Sequence, residues 1–192
     1  LGLGDENFRW RLEAGKSFTA PEVVMVHTDE GLGEMSRIFH RLYRTRLIRG
    51  AYKEKERPIL INNWEATYFD FDENKIVSLA KEASKLGIEL LVLDDGWFGQ
   101  RNDDTSSLGD WFVNEAKLPN GISGLAEKVR ENGIEFGLWM EPEMISENSR
   151  LYQEHKDWCL QVKGRERSQC RHQLTLDLSR KDVCAYLINV LA

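Results

Sequence analysis

The chain has 192 residues, 41% hydrophobic and 30% charged, with a net charge of −6, an ordinary globular composition long enough to bury a core. The mild acidity and the lack of a basic patch interleaved with aromatics argue against nucleic acid as a partner, and no apolar run approaches the ~18 residues of a membrane span. Three irregularly spaced cysteines, Cys159, Cys170 and Cys184, predict neither a disulfide framework nor a zinc site. Reduced thiols fit a cytoplasm, and no cofactor is expected. Leu1 at the start, and "AYLINVLA" reading as a helix in mid-course at the end, suggest a piece of something longer.

In chain order, residues 1–30 alternate apolar and polar around a turn at Gly15–Lys16, which predicts the last strands of a β domain. Residues 31–49 read as a helix with Leu32, Met35, Phe39 and Leu42 on one face and a set of arginines mostly elsewhere, a solvated or domain-contacting face. Residues 50–57 are charged and unpatterned, a linker, so that 31–57 joins the β domain to the rest of the chain. A repeat then begins. A strand is predicted at 58–64, and a helix at 72–87 with Asp72 as N-cap and Gly87 as stop. A strand apolar on both faces comes next at 88–93, then a second helix at 120–133 and a third strand at 134–140. "GIEL" at Gly87 recurs as "GIEF" at Gly133, each time between a helix and a strand.

The order β-α-β-α-β places polar and aromatic residues just past each strand: Trp64, then Asp94 with Asp95, then Trp139 with Glu141. Ligands of parallel α/β folds bind at those carboxyl ends. No glycine-rich loop follows the first strand, so a (β/α)8 TIM-like barrel fits better than a nucleotide-binding sheet. Such a barrel takes about 250 residues, and residues 58–192 would form roughly its N-terminal half.

Adjacent aspartates after a buried strand hold a metal, do acid–base work, bind a polyol or merely cap a turn. His27, His40, His155 and His172 are scattered and give no metal-ligand pattern. Trp64, Trp97, Trp111 and Trp139 all lie in or beside strand-end segments. An indole face suits the C–H face of a sugar, and carboxylates accept bonds from its hydroxyls. The long polar loop 99–111 is of a functional kind. Within it Asp103 and Asp104 read as turn residues, while Asp110 beside Trp111 is a candidate for shaping a pocket. Glu141 and Glu143 in "EPEM" either carry a catalytic carboxylate or hold their loop. Leu174, Leu176 and Leu178 predict a short extended segment. Arg171 before it is a surface charge or the positive partner that a cluster of acids requires.

The motifs "NNWEATYFDF", "LDDGWFG", "DDTSSLGDW", "GLWMEPEM" and "R-x-Q-L-x-L-D-L-S-R" resemble, in that order and over nearly the whole chain, the bacterial α-galactosidases of glycoside hydrolase family 36. The resemblance implies a barrel preceded by the end of a β-sandwich. It also implies retaining hydrolysis of terminal α-linked galactose, with sugar contacts from Trp64, Asp94, Asp95, Trp139 and Arg171. Trp97, Asp110, Trp111 and Glu141, from their placement in the sequence, are candidates for shaping the pocket, and the whole protein is expected to be a homo-oligomer. The family's nucleophile lies in a "K-W-D" motif that this sequence lacks, and its acid/base lies further on. No catalytic residue is therefore assigned here, both acids are expected beyond Ala192, and the isolated chain is expected to be inactive. Cys170 and His172 stand where a glycine and an asparagine are common in the family. An α-N-acetylgalactosaminidase or raffinose-type galactosyltransferase of the same fold, and a sugar-binding module without catalysis, are the alternatives.

Overall fold

The computed structural model describes residues 8–192, which divide into two units on either side of the Arg57–Pro58 bond. In the first unit, no strand forms among residues 8–30, contrary to the alternation in the sequence. The turn is there: Gly15 has φ +73° and the Lys16 amide donates to the Glu13 carbonyl. The arms approach through Phe18, whose ring centroid lies 6.0 Å from Phe8 and 4.8 Å from Trp10. Residues 8–25 are exposed throughout, and a two-armed ribbon without an apolar layer to pack on is marginal as a sheet. The part of that expectation on residues 1–7 lies outside the described residues. Helix α1 spans Gly31–Leu42 and continues as one wider turn over Tyr43–Leu47. Two of the arginines have a local partner, since Glu34 accepts from both Arg37 and Arg41.

The second unit begins with the repeat. Strands β1 (Leu60–Asn62), β2 (Leu90–Leu93) and β3 (Glu135–Leu138) form a parallel sheet in that order. Leu60 pairs with Leu90, and Leu90 with Glu135. A short helix α2 (Trp64–Thr67) follows β1, and the crossovers are α3 (Glu73–Lys85) and α4 (Gly121–Arg130). Asp72 caps α3 by accepting from the Lys75 amide at 2.8 Å. Ile76, Ala80 and Ala83 of α3, with Leu125 and Val129 of α4, are buried on one flank of the sheet with Leu91 and Leu93. The alternate positions Leu90 and Val92 are only half-buried, so β2 is covered fully on one face. The "GIE" repeat has a structural reason. Gly87 and Gly133 close their helices at φ +78° and +76°, and the glutamates that come after them join the strands edge to edge. The Glu89 carboxylate accepts the Ile59 amide, and its carbonyl accepts the Glu135 amide.

After β3 the chain leaves this sheet. β4 (Met144–Ser146) and β5 (Gln173–Thr175) pair antiparallel, with α5 (Arg150–Glu154) between them and α6 (Lys181–Leu191) after. They enclose a second core that includes Ile145, Leu151, Trp158, Leu174, Leu176, Val183 and Leu187. Leu174 and Leu176 point inward as their alternation predicts, whereas Leu178 lies beyond β5 and is exposed. The architecture is α/β, with the β-α-β-α-β order that opens a (β/α)8 barrel.

Candidate functional site

The carboxyl ends of β1, β2 and β3 lie side by side, neighbouring strands being about 4.8 Å apart in any sheet. Two asparagines to which the sequence alone assigns no role join the first two ends. The Asn63 side-chain oxygen accepts the Asp94 amide at 2.7 Å, and the Asn62 side-chain nitrogen donates to the Asp94 carboxylate. The other end of the Asn62 amide accepts the Trp64 amide at 2.7 Å. Trp64 therefore stands on α2, directly after the β1 tip and tied to Asp94 through one side chain. Its indole is half-buried, held edge-on by Tyr68 at 5.2 Å and Phe69 at 5.0 Å. Tyr68 sits at φ +46°, strained for a residue with a Cβ, and its hydroxyl donates to Glu65.

The adjacent aspartates have different partners, which is why the pair is tolerated. Asp94 is half-buried, and its carboxylate accepts the Asp95 amide at 2.7 Å. Asp95 is 4% exposed and faces Arg101, which is 0% exposed. Arg101 Nη2 donates to Asp95 Oδ2 at 2.7 Å and Nε to Oδ1 at 3.0 Å, a bidentate pair. The cation paired with Asp95 is thus Arg101, from the long loop. In the sequence "GQRNDD", Arg101 looks like any solvated loop charge. The only available signal was that a buried aspartate requires a cation.

The loop 99–111 is folded back on itself. The Gly99 amide donates to the Phe112 carbonyl, and Phe98 bridges Val113. Asp103 binds Thr105 through amide and hydroxyl, as a turn residue does. Asp110 is buried, and its carboxylate accepts the Arg150 and Leu151 amides at 3.0 and 3.1 Å, capping α5. Its contribution to the site is thus to the frame that holds it. Trp97 is likewise a core residue, edge-on to Phe98 and tilted against Trp111, and its indole N–H donates to the Trp139 carbonyl at 2.9 Å. It braces the β3 tip from behind. Trp111 is half-buried against Phe98 at 4.5 Å. Lys117, also without a signal in the sequence, donates from one ammonium to the carbonyls of Phe69, Gly96 and Arg101, fastening the loops after β1 and β2 to each other. Burial pushes its pKa down.

At the third tip the Trp139 amide donates to the Leu93 carbonyl at 2.8 Å, which keeps this half-buried residue beside the aspartates. Glu141 is half-buried. Burial, then the charge of Glu143, pushes its carboxyl above the ordinary range, and Arg171 and Arg101 pull it back. Arg171 accordingly stands within the electrostatic reach of Glu141. It does so from a two-residue turn, Cys170 to Gln173, in which Arg171 and His172 have φ +53° and +58°. Arg171 is exposed, and it forms no ion pair among the described residues.

The strand tips thus carry a half-buried carboxylate, two half-buried indoles and a second carboxylate fixed by a cation. Hydroxyl acceptors beside apolar ring faces suit a polyol. Among the described residues, no group of three or more His, Cys, Asp or Glu side chains could hold a metal ion, and no helix is long and apolar enough to cross a membrane. Comparison with known proteins gives the same direction. The sequence model of the Melibiase family matches residues 17–192. The chain is 62% identical over 192 residues to alpha-galactosidase AgaA of Geobacillus stearothermophilus, covering all of this chain and 26% of that protein. It is 52% identical over 182 residues to alpha-galactosidase Mel36A of Lactobacillus acidophilus, covering 95% and 25%. The crystal structure of GH36 AgaA superposes with a TM-score of 0.91 over 99% of this chain and 26% of that one, and AgaA variants have been solved with stachyose and with raffinose. The chain spans about a quarter of the length of the curated relatives it matches. With the family model matched over residues 17–192, 62% identity to AgaA along its length and a superposition over 99% of it, this chain belongs to the Melibiase family.

Proposed function

We propose that the whole protein is a retaining α-galactosidase that releases terminal α-linked galactose from raffinose-type sugars, and that these 192 residues supply much of its sugar-recognition surface. The observation that carries this reading is the Asp94 carboxylate, half-buried and anchored by Asn62, between the tips that bear Trp64 and Trp139. In this reading Trp64 and Trp139 lie against the ring's C–H faces. Asp94 and Asp95 accept its hydroxyls, and Arg171 closes the margin. A pocket whose buried acceptors are satisfied by one hydroxyl rejects the epimer that leaves them unpaired.

Retaining hydrolysis needs a carboxylate nucleophile and a separate acid/base flanking the glycosidic bond. Asp94 and Asp95 are engaged by Asn62 and Arg101, bonds that suit binding better than proton transfer. We assign the two catalytic acids to residues outside this segment. Residues 1–30 are assigned to the end of a β-sandwich domain, the whole protein to a homo-oligomer, and its compartment to the cytoplasm, in keeping with three unpaired thiols.

The test is hydrolysis of p-nitrophenyl α-galactoside. The whole protein should turn it over and leave the α-N-acetylgalactosaminide almost untouched, while the 192-residue chain alone should release no nitrophenol. Turnover by the pure 192-residue chain would overturn the assignment of the catalytic acids, and a whole protein inert toward α-galactosides would overturn the activity.

A further inference from the structure

We propose that Arg101 is a positioning residue: its guanidinium fork fixes the Asp95 carboxylate in the one orientation in which its remaining lone pairs meet a sugar hydroxyl. The inference rests on the galactoside reading above. The site gives Arg101 no other task of comparable strength. All three of its nitrogens are used, Nε and Nη2 on Asp95 and Nη1 on the Ser106 carbonyl at 2.8 Å. Its own carbonyl is gripped by Lys117, so that backbone and side chain are both held.

A carboxylate offers about four lone-pair positions, and a bidentate guanidinium uses one on each oxygen. Two remain, and they share the plane that the fork defines. A lysine in the same place would supply the charge but not the plane. The fork also lies over the ring that holds the neighbouring indole. The Arg101 guanidinium lies 5.8 Å from the centroid of the Phe69 ring, and that ring holds Trp64 edge-on at 5.0 Å. Gly96 makes this approach possible. A Cβ there would stand 2.9 Å from Phe69 Cδ1, and its φ of +95° excludes other residues. One cation therefore sets an acceptor and, through Phe69, a stacking surface.

On this proposal Asp95 holds the same ring hydroxyl in the ground state and in the transition state. Loss of its orientation should therefore raise KM and leave kcat nearly unchanged. The experiment uses the whole protein with p-nitrophenyl α-galactoside and its α-glucoside epimer. Arg101→Lys should raise KM about tenfold and narrow the preference for the galactoside by a similar factor. Arg101→Gln, made in parallel, should behave likewise. In an Asp95→Asn background, Arg101→Lys should leave KM where Asp95→Asn alone puts it, because the carboxylate to be oriented is gone. A lysine variant that melts earlier but keeps the KM and the epimer preference of the wild type would overturn the proposal, since that is the result of a purely structural ion pair. So would additive effects in the double variant. Wild-type protein inactive on both glycosides would refute the galactoside reading itself, and with it this inference. Wild-type activity with an unmoved lysine variant refutes the positioning alone.

Discussion

At the scale of single residues, the two aspartates after β2 are neighbours in sequence with different physical situations. Asp94 is half-buried with a neutral donor, Asn62, while Asp95 is buried against a buried cation. Their removal should therefore be felt differently. Asp94→Ala in the whole protein should weaken galactoside binding by about 1–3 kcal/mol with little change in melting temperature. Asp95→Ala should destabilise the fold by about 3–5 kcal/mol as well, because it strands the Arg101 charge. Melting curves beside KM values separate the two, and equal thermal losses would show that Asp94 is as structural as its neighbour. The turn that carries Arg171 makes a second residue-scale prediction. His172 holds a left-handed conformation without being glycine, so His172→Gly should stabilise the fold by roughly 1 kcal/mol in denaturant titration. A loss of stability would show that the histidine side chain contributes a contact outweighing the strain.

At the scale of elements, the helices are held to one another by polar as well as apolar contacts. Glu73 in the first turn of α3 is buried and receives Lys128 of α4 and the Asn120 amide just before it. The Lys128 contact, and secondarily Asn120, hold its carboxyl below the ordinary value of 4.5. A carboxyl lowered by folding contributes stability that is fully present above its unfolded pKa and is lost as pH falls through the folded value. Lys128→Met should therefore lose stability at neutral pH and show a shallower decline of stability below about pH 4.5. An acid limb parallel to the wild type's would exclude this pair as its source.

Much of this layer could be read from the sequence because it is periodic. The Asp72 cap, the Ile76–Ala80–Ala83 stripe and the two "GIE" joints are local signals that tertiary structure reinforces. The strand tips were legible for the same reason, since a strand's end fixes where its next residue lies. What was not legible depends on contacts distant in sequence. Asn62 and Asn63 look like turn residues until Asp94, some thirty positions later, supplies their partner. Lys117 bonds to three carbonyls from two loops, which no pattern encodes. Trp97 and Asp110 have the composition of site residues and the surroundings of a scaffold. β4 is three residues long, too short to show a period. The alternation of residues 8–25 is a genuine strand signal that lacks a layer to pack on here.

At the scale of the molecule, three parallel strands with two covering helices form an incomplete α/β layer, and the second core around β4 and β5 sets Arg171 on its edge. The central claim is that the β1, β2 and β3 tips together form one concave surface for a galactosyl ring. The most direct measurement is a crystal structure of the whole protein with 1-deoxygalactonojirimycin, an uncleavable galactose mimic. The claim predicts the ring between the Trp64 and Trp139 indoles, with an Asp94 oxygen within hydrogen-bonding distance of a ring hydroxyl and Asp95 still forked by Arg101. A ring bound with full occupancy elsewhere, and the three tips bare, would contradict it.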